Sequence, residues 1–162
     1  MESLMFSTVA QVAAIVAVLA NAVIYGTDAC YALVTRAVYA RLDDSTLTES
    51  AGWGHYYGDR RMPVFGVTGV LTAVLTVVLA ALGGQVAAAV AAGIAVAALV
   101  IWLLIYVRVA KPVNTVQTAA AQAGITPPNA RALQDKWDSV IHARVALQAI
   151  ALAGLTAAIA LI

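Results

Sequence analysis

Asn21, Tyr25 and Asp28 are spaced four and three residues apart in an otherwise apolar tract, so a helix would carry all three on one face. A carboxylate facing hydrocarbon is expensive. Asp28 is therefore expected to turn inward, either as a proton-handling group in a cavity or as a hydrogen-bonded peg between helices. A second set lies in the stretch Trp137-Asp138-Ser139-Val140-Ile141-His142-Ala143-Arg144. His142 is expected to exchange a proton with a ligand, with Asp138 one turn earlier fixing its tautomer; a satisfied structural histidine is the rival reading. Trp137 and Arg144 fall on a different face, where Arg144 is expected to snorkel to the interface and Trp137 to join an aromatic belt.

A third group, His55, Tyr56, Tyr57, Asp59, Arg60 and Arg61, suits either headgroup contact or a lid over an opening that holds Asp28 and His142. Asn114 follows Lys111-Pro112 and is expected to send its amide back toward that opening. Other chemistries lack their residues. There is no glycine-rich nucleotide loop and no His-Glu-x-x-His pattern. Two histidines and scattered carboxylates form no compact metal-ligand spacing, and a haem would need His55 and His142 to meet across the bundle, so no metal and no cofactor is expected. The few cations are mixed with acids, which argues against nucleic acid as a partner.

These groups must be held by elements suited to lipid. The chain is 63% hydrophobic with only 10% charged residues, against about 25% in soluble domains, and its mean hydropathy is +0.91. Four apolar tracts, residues 8–31, 63–82, 87–107 and 141–162, contain no Asp, Glu, Lys, Arg or His apart from Asp28, His142 and Arg144. Each approaches the roughly 20 residues that cross a bilayer as helix, where the backbone must satisfy its own hydrogen bonds. The expected fold is all-α: one integral membrane domain, a four-helix bundle with two cytoplasmic polar links. Burying four such helices in a soluble chain of this size is ruled out by surface-to-volume scaling.

The link between spans one and two holds Arg36, Arg41, Arg60 and Arg61, and the link between spans three and four holds Lys111, Arg131 and Lys136 with Arg108 at its edge; the link between spans two and three is uncharged, and four spans place both charged links on one side. The positive-inside rule makes both charged links cytoplasmic, with both termini outside and the plasma membrane as the expected location. Glu2, and no Lys or Arg, precedes the first tract, which is therefore expected to be a span and not a removable signal. The first helix is expected to run to about Arg41, and residues 42–61 to form the larger polar connection. Pro63 is expected early in span two, Gly83-Gly84 in a tight turn, and Pro112 at the end of span three. A last helix is expected to start near Asn129 or Ala130 and run unbroken into span four. Ala89, Gly93 and Ala97 repeat at four-residue spacing and could mark a close helix contact. Cys30 is the single cysteine and has no internal disulfide partner.

The polar first helix around Asn21-Ala-Val-Ile-Tyr-Gly26, the link His55-Tyr-Tyr-Gly-Asp-Arg-Arg-Met-Pro63, Val113-Asn114 after span three, and Trp137 through Arg144 together resemble the small four-helix membrane proteins that include fungal and bacterial anthrone oxygenases. That resemblance covers nearly the whole chain. It implies cofactor-independent oxidation of an anthrone-type substrate, an apolar polycyclic or polyketide-like molecule, by molecular oxygen. Asn114, Trp137, His142 and Arg144 then correspond to the family's polar group. His142, or alternatively Asp28, would remove a proton; Arg144 or Asn114 would stabilise the developing oxyanion; Trp137 and Tyr25 would stack on the rings. Asn21, His55, Tyr56 and Arg60 would complete the binding site. The sequence departs from the family at Tyr25-Gly-Thr-Asp-Ala-Cys30, where a more uniformly apolar stretch is expected, and this leaves a different substrate or reaction open. Non-oxidative acid/base chemistry (isomerisation, cyclisation, epoxide opening), a proton-coupled transporter and a non-catalytic membrane partner remain alternatives. A homodimer sharing the cavity is compatible with all of them.

Overall fold

The structure, a computed structural model, describes residues 2–162, with side chains from Met5 onward. Four long helices account for nearly all of them: α1 (Met5–Tyr39), α2 (Asp44–Leu82), α3 (Val86–Ala123) and α4 (Ala130–Leu161). Each is long and apolar enough to cross a membrane. No strand occurs among the described residues. Each helix packs against two neighbours in the ring α1–α2–α3–α4.

The helices run well past their apolar tracts. Residues 42–61, expected as a polar connection, are instead helical from Asp44 onward and belong to the same 39-residue rod as the apolar tract, with Pro63 inside it. His55 through Arg61 are thus fixed on a helix and do not form a loop or lid. Asp43 sets the start of this rod: its carboxylate accepts the Thr46 backbone N–H at 2.9 Å and the Thr46 hydroxyl at 2.8 Å. These bonds hold the Asp43 carboxyl below its usual range.

Pro112 likewise does not end α3. The chain widens into a π-helical turn at Tyr106–Ala110 and resumes as α-helix through Lys111–Ala123. A proline has no N–H for the ladder and its ring presses on the carbonyl four residues back, which here is Arg108; the wider turn relieves both constraints. A second π turn, Tyr31–Thr35, lies in α1. Gly124, at φ 65°, supplies the left-handed residue that stops α3. Gly84, at φ 75°, does the same for the α2–α3 turn. The last helix starts at Ala130 as expected but is interrupted by a turn at Ser139-Val140.

Small residues bring the backbones together. A Cβ on Gly154 of α4 would lie 2.7 Å from the Ala91 carbonyl, and one on Gly52 of α2 would run into the Gln117 carbonyl and Ala121 of α3. Ala17, Ala73, Ala95, Ala98 and Ala151 fill the bundle centre with Leu99 and Leu155, and Ala80, Ala88, Ala92 and Ala158 continue it toward the far end. Close backbone approach maximises van der Waals contact, the main force between helices in lipid. The contact stripe of α3 is therefore Ala88, Ala92, Ala95 and Leu99. Gly93, from the stripe expected at Ala89, Gly93 and Ala97, has nothing among the described residues within 4 Å of its Cβ position. Large apolar side chains such as Leu33, Leu71 and Val86 point outward, as a lipid-facing surface requires.

Charged groups gather at one end. Arg131 ties the α1–α2 link down, donating to the Tyr39 and Leu42 carbonyls and pairing with Asp44 at 2.7 Å. At the opposite end Gln85 donates to Ser7 at 2.7 Å and to the Ile162 carbonyl at 3.2 Å, joining three segments.

Candidate functional site

A cavity of about 590 Å³ lies among all four helices, on the side of the bundle that faces the charged end. Ile24, Leu99, Val70 and Met62 give it an apolar wall. Val67 and Leu71, which also line it, are 57% and 63% exposed, so the cavity reaches the bundle's apolar outer surface beside α2.

Two charges meet in this wall. Arg144, 6% exposed, donates from Nη2 to Asp28, 3% exposed, at 2.7 Å. The Trp102 indole N–H donates to the other Asp28 oxygen at 3.1 Å. Trp102 and Trp137 then flank the guanidinium, their ring centroids 5.1 and 5.0 Å from Arg144 Cζ. Ion pairing and two ring faces are what a buried guanidinium needs in place of water. They do not use all of it: Arg144 Nε and Nη1 are buried and have no hydrogen-bond partner among the described residues.

The aromatic pair is held from behind by a second network. Trp137 Nε1 donates to Asn114 at 2.9 Å, and Asn114 donates to Asp59 at 3.0 Å. Asp59 also accepts from Tyr106 at 2.7 Å and from Lys111 at 3.1 Å. Tyr106 stacks on Trp102, centroids 5.7 Å apart and planes 2° from parallel. A third cluster, where Tyr31 and Gln134 both donate to Asp138, closes the charged end.

Of the residues expected from sequence, Asn21, Asp28, His55, Asn114, Trp137 and Arg144 converge on the cavity. Asn21 donates to the Ala17 carbonyl of its own helix at 2.8 Å and packs on Gly69, where a Cβ would lie 2.6 Å from its amide. Tyr25 is half-buried outside the cavity wall. His142 is exposed on the outer face, 3.2 Å from Arg36, which in turn pairs with Asp138 at 3.2 Å. Arg144 and Trp137, expected at the rim, are interior, and His142, expected inside, faces out. Two residues along a helix is a rotation of about 200°, so His142 and Arg144 cannot both face the cavity.

His55 lines the cavity and also a surface groove of about 500 Å³ that contains Tyr56, Arg60 and Lys111. His55 Nε2 is buried without a hydrogen-bond partner among the described residues. In the groove, Arg60 lies 3.6 Å over the Tyr56 ring and donates to its carbonyl at 3.0 Å. Asp59 lines both spaces too, so these two residues form the partition between them.

Trp102, Tyr106, Tyr31, Gln134 and Gln148 belong to the site but were not expected there. A readable signal existed for one of them. Trp137, Ile141, Arg144, Gln148, Ala151, Leu155 and Ala158 recur at spacings of four and three, and this series is the buried face of α4. No metal-ligating cluster of three or more His, Cys, Asp or Glu occurs among the described residues. No family model, curated protein or solved structure matches the chain, and its functional reading rests on its own residues.

Proposed function

We propose that the chain is an integral membrane enzyme that binds an apolar polycyclic or polyketide-like molecule in the cavity, with an acidic oxygen of the molecule at Arg144. The observation that carries this reading is the buried Arg144 guanidinium, whose Nε and Nη1 have no hydrogen-bond partner among the described residues, in the wall of an otherwise apolar cavity. Desolvated donors fixed in advance are the arrangement that stabilises a developing oxyanion. The aromatic side chains Trp102 and Trp137 in the cavity wall suit ring systems, and the opening beside Val67 and Leu71 suits a substrate arriving from lipid.

The reaction that best uses these parts is oxygenation of an anthrone-type substrate. Removing a proton from the methylene between the rings leaves an electron-rich anion whose charge rests on the ketone oxygen, next to Arg144. Oxygen accepts electrons from that carbon and forms a peroxide anion there, which takes back the abstracted proton as a hydroperoxide; loss of water leaves the second carbonyl. The methylene and one O₂ become a carbonyl and one water, and the substrate supplies all the electrons. His55 is the proton acceptor in this reading, because its imidazole borders both the cavity and the polar groove. Asp28 and Asn114 position Arg144 and Trp137. The charged end is cytoplasmic by the positive-inside rule, and the plasma membrane is the proposed location.

The test is oxygen uptake by the purified protein in lipid with an anthrone added. Uptake above the spontaneous rate, matched by quinone formation and lost in Arg144→Met, is expected. Uptake equal to that of protein-free lipid, in a sample with intact helicity, contradicts the oxygenase reading. Solvent deuterium appearing at the methylene without oxygen uptake would instead assign the same residues to non-oxidative acid/base chemistry.

A further inference from the structure

Gln148 stands one helical turn beyond Arg144 on the same face of α4 and is 1% exposed. It lines the cavity, and Ala151 on the next part of the same helix face belongs to the buried alanine core. Its Oε1 is buried with no hydrogen-bond partner among the described residues. Leaving a buried amide unpaired is costly in an apolar setting, and a leucine would fill this position without that cost. Asn21, another amide of the cavity lining, has its Nδ2 bonded to its own helix.

We infer that Gln148 is a specificity-determining residue that selects ligands carrying a hydroxyl, set apart from the oxygen held by Arg144 by about one turn of helix. Side chains four residues apart on a helix stand about 5–6 Å from each other, which is the span across one aromatic ring. A hydroxyl both donates and accepts, so it meets either end of the Gln148 amide. The ligand class is thus a hydroxylated aromatic ketone, in preference to the bare ring ketone. This inference rests on the proposed cavity function and adds a second polar contact to it.

The test compares two probes in lipid nanodiscs, a tetralone and a hydroxytetralone whose hydroxyl lies across the aromatic ring from the ketone. Quenching of Trp102 and Trp137 reports binding. Wild-type protein is expected to bind the hydroxytetralone about 5- to 10-fold more tightly, the worth of one well-made hydrogen bond. Gln148→Leu is expected to erase that preference, so that the two probes bind within about twofold of each other, and its unliganded form is expected to melt higher than wild type. Gln148→Met, closer in shape, is expected to behave alike. Arg144→Met weakens both probes together. A preference that survives in Gln148→Leu and Gln148→Met overturns the inference but leaves the cavity reading standing, as does equal binding of both probes by the wild type, the result if Gln148 pairs only with water. If neither probe binds wild-type protein, the cavity reading itself fails and takes the inference with it.

Discussion

Asp28 and Arg144 are 116 residues apart in sequence and 2.7 Å apart in the bundle, so each is expected to depend on the other for its place. Asp28→Asn keeps an oxygen for the Trp102 indole but leaves the guanidinium without a counter-charge. Arg144→Met leaves a buried carboxylate with the Trp102 N–H as its remaining donor. Removing one partner of a buried ion pair costs about 3–5 kcal/mol. The double substitution leaves neither charge. It forfeits mainly the two ring contacts of the guanidinium, about 2 kcal/mol by cation–π magnitudes. The double variant should therefore be more stable than either single one, with a coupling energy above about 3 kcal/mol. An ordinary interhelical hydrogen bond between neutral groups gives about 0.6 kcal/mol and rarely above about 1.7 kcal/mol. Reversible unfolding in mixed micelles, followed by the loss of helical circular dichroism, measures all four proteins. Additive costs, with coupling at or below about 1 kcal/mol, would refute the claim that a charged pair is buried here.

Three further outcomes are expected. Gly52→Ala should destabilise the bundle by about 1–3 kcal/mol or more, because its Cβ meets the Gln117 carbonyl and Ala121, whereas Gly93→Ala, with open space at its Cβ, should be neutral or slightly stabilising in the same unfolding assay. His55→Ala should lower turnover of an anthrone by about 10²-fold or more, and His142→Ala should leave it within about twofold, as steady-state rates will report. The Asp43 carboxyl is held below its ordinary 3.8 by the Thr46 amide and hydroxyl. Its stabilising contribution is complete above that ordinary value and disappears as pH falls through the lower folded one. Hydrogen exchange of the Thr46 amide should therefore lose protection in acid, and Asp43→Ala should show the low protection at every pH.

The sequence carries the four helices plainly, because an apolar tract near 20 residues has few alternatives and Gly83-Gly84 and Gly124 mark two ends. Helix continuity beyond the tracts is harder to read. His55 through Arg61 and Lys111-Pro112 are polar or proline-bearing, but polarity marks where lipid stops, not where a helix stops. Their helicity comes from capping by Asp43 and from packing of α2 against the end of α3. The site was half legible for a related reason. Asp28 had to turn inward because hydrocarbon penalises its charge. For α4 the same logic favoured His142 as the inward group, because a long arginine side chain can reach the interface and an imidazole cannot. The four-and-three series from Trp137 to Ala158 decides between them, and it passes through Arg144 and Gln148. The partners of Asp28 and Asn114, Trp102 and Asp59 among them, come from other helices, and no local spacing announces a contact across a bundle.

If Arg144 receives the substrate's acidic oxygen, the protein should make a bound anthrone more acidic. Absorbance of the coloured anthrolate, followed under nitrogen while pH is raised, gives the midpoint of ionisation with the protein in lipid and with lipid alone. A hydrogen bond to a charged group is worth about 1.5–3 kcal/mol, so the midpoint should fall by about 1–2 pH units with wild-type protein. It should return to the lipid value with Arg144→Met. An unchanged midpoint for an anthrone shown to be bound, or a lowered one that Arg144→Met retains, would contradict the assignment of Arg144 as the oxyanion's partner.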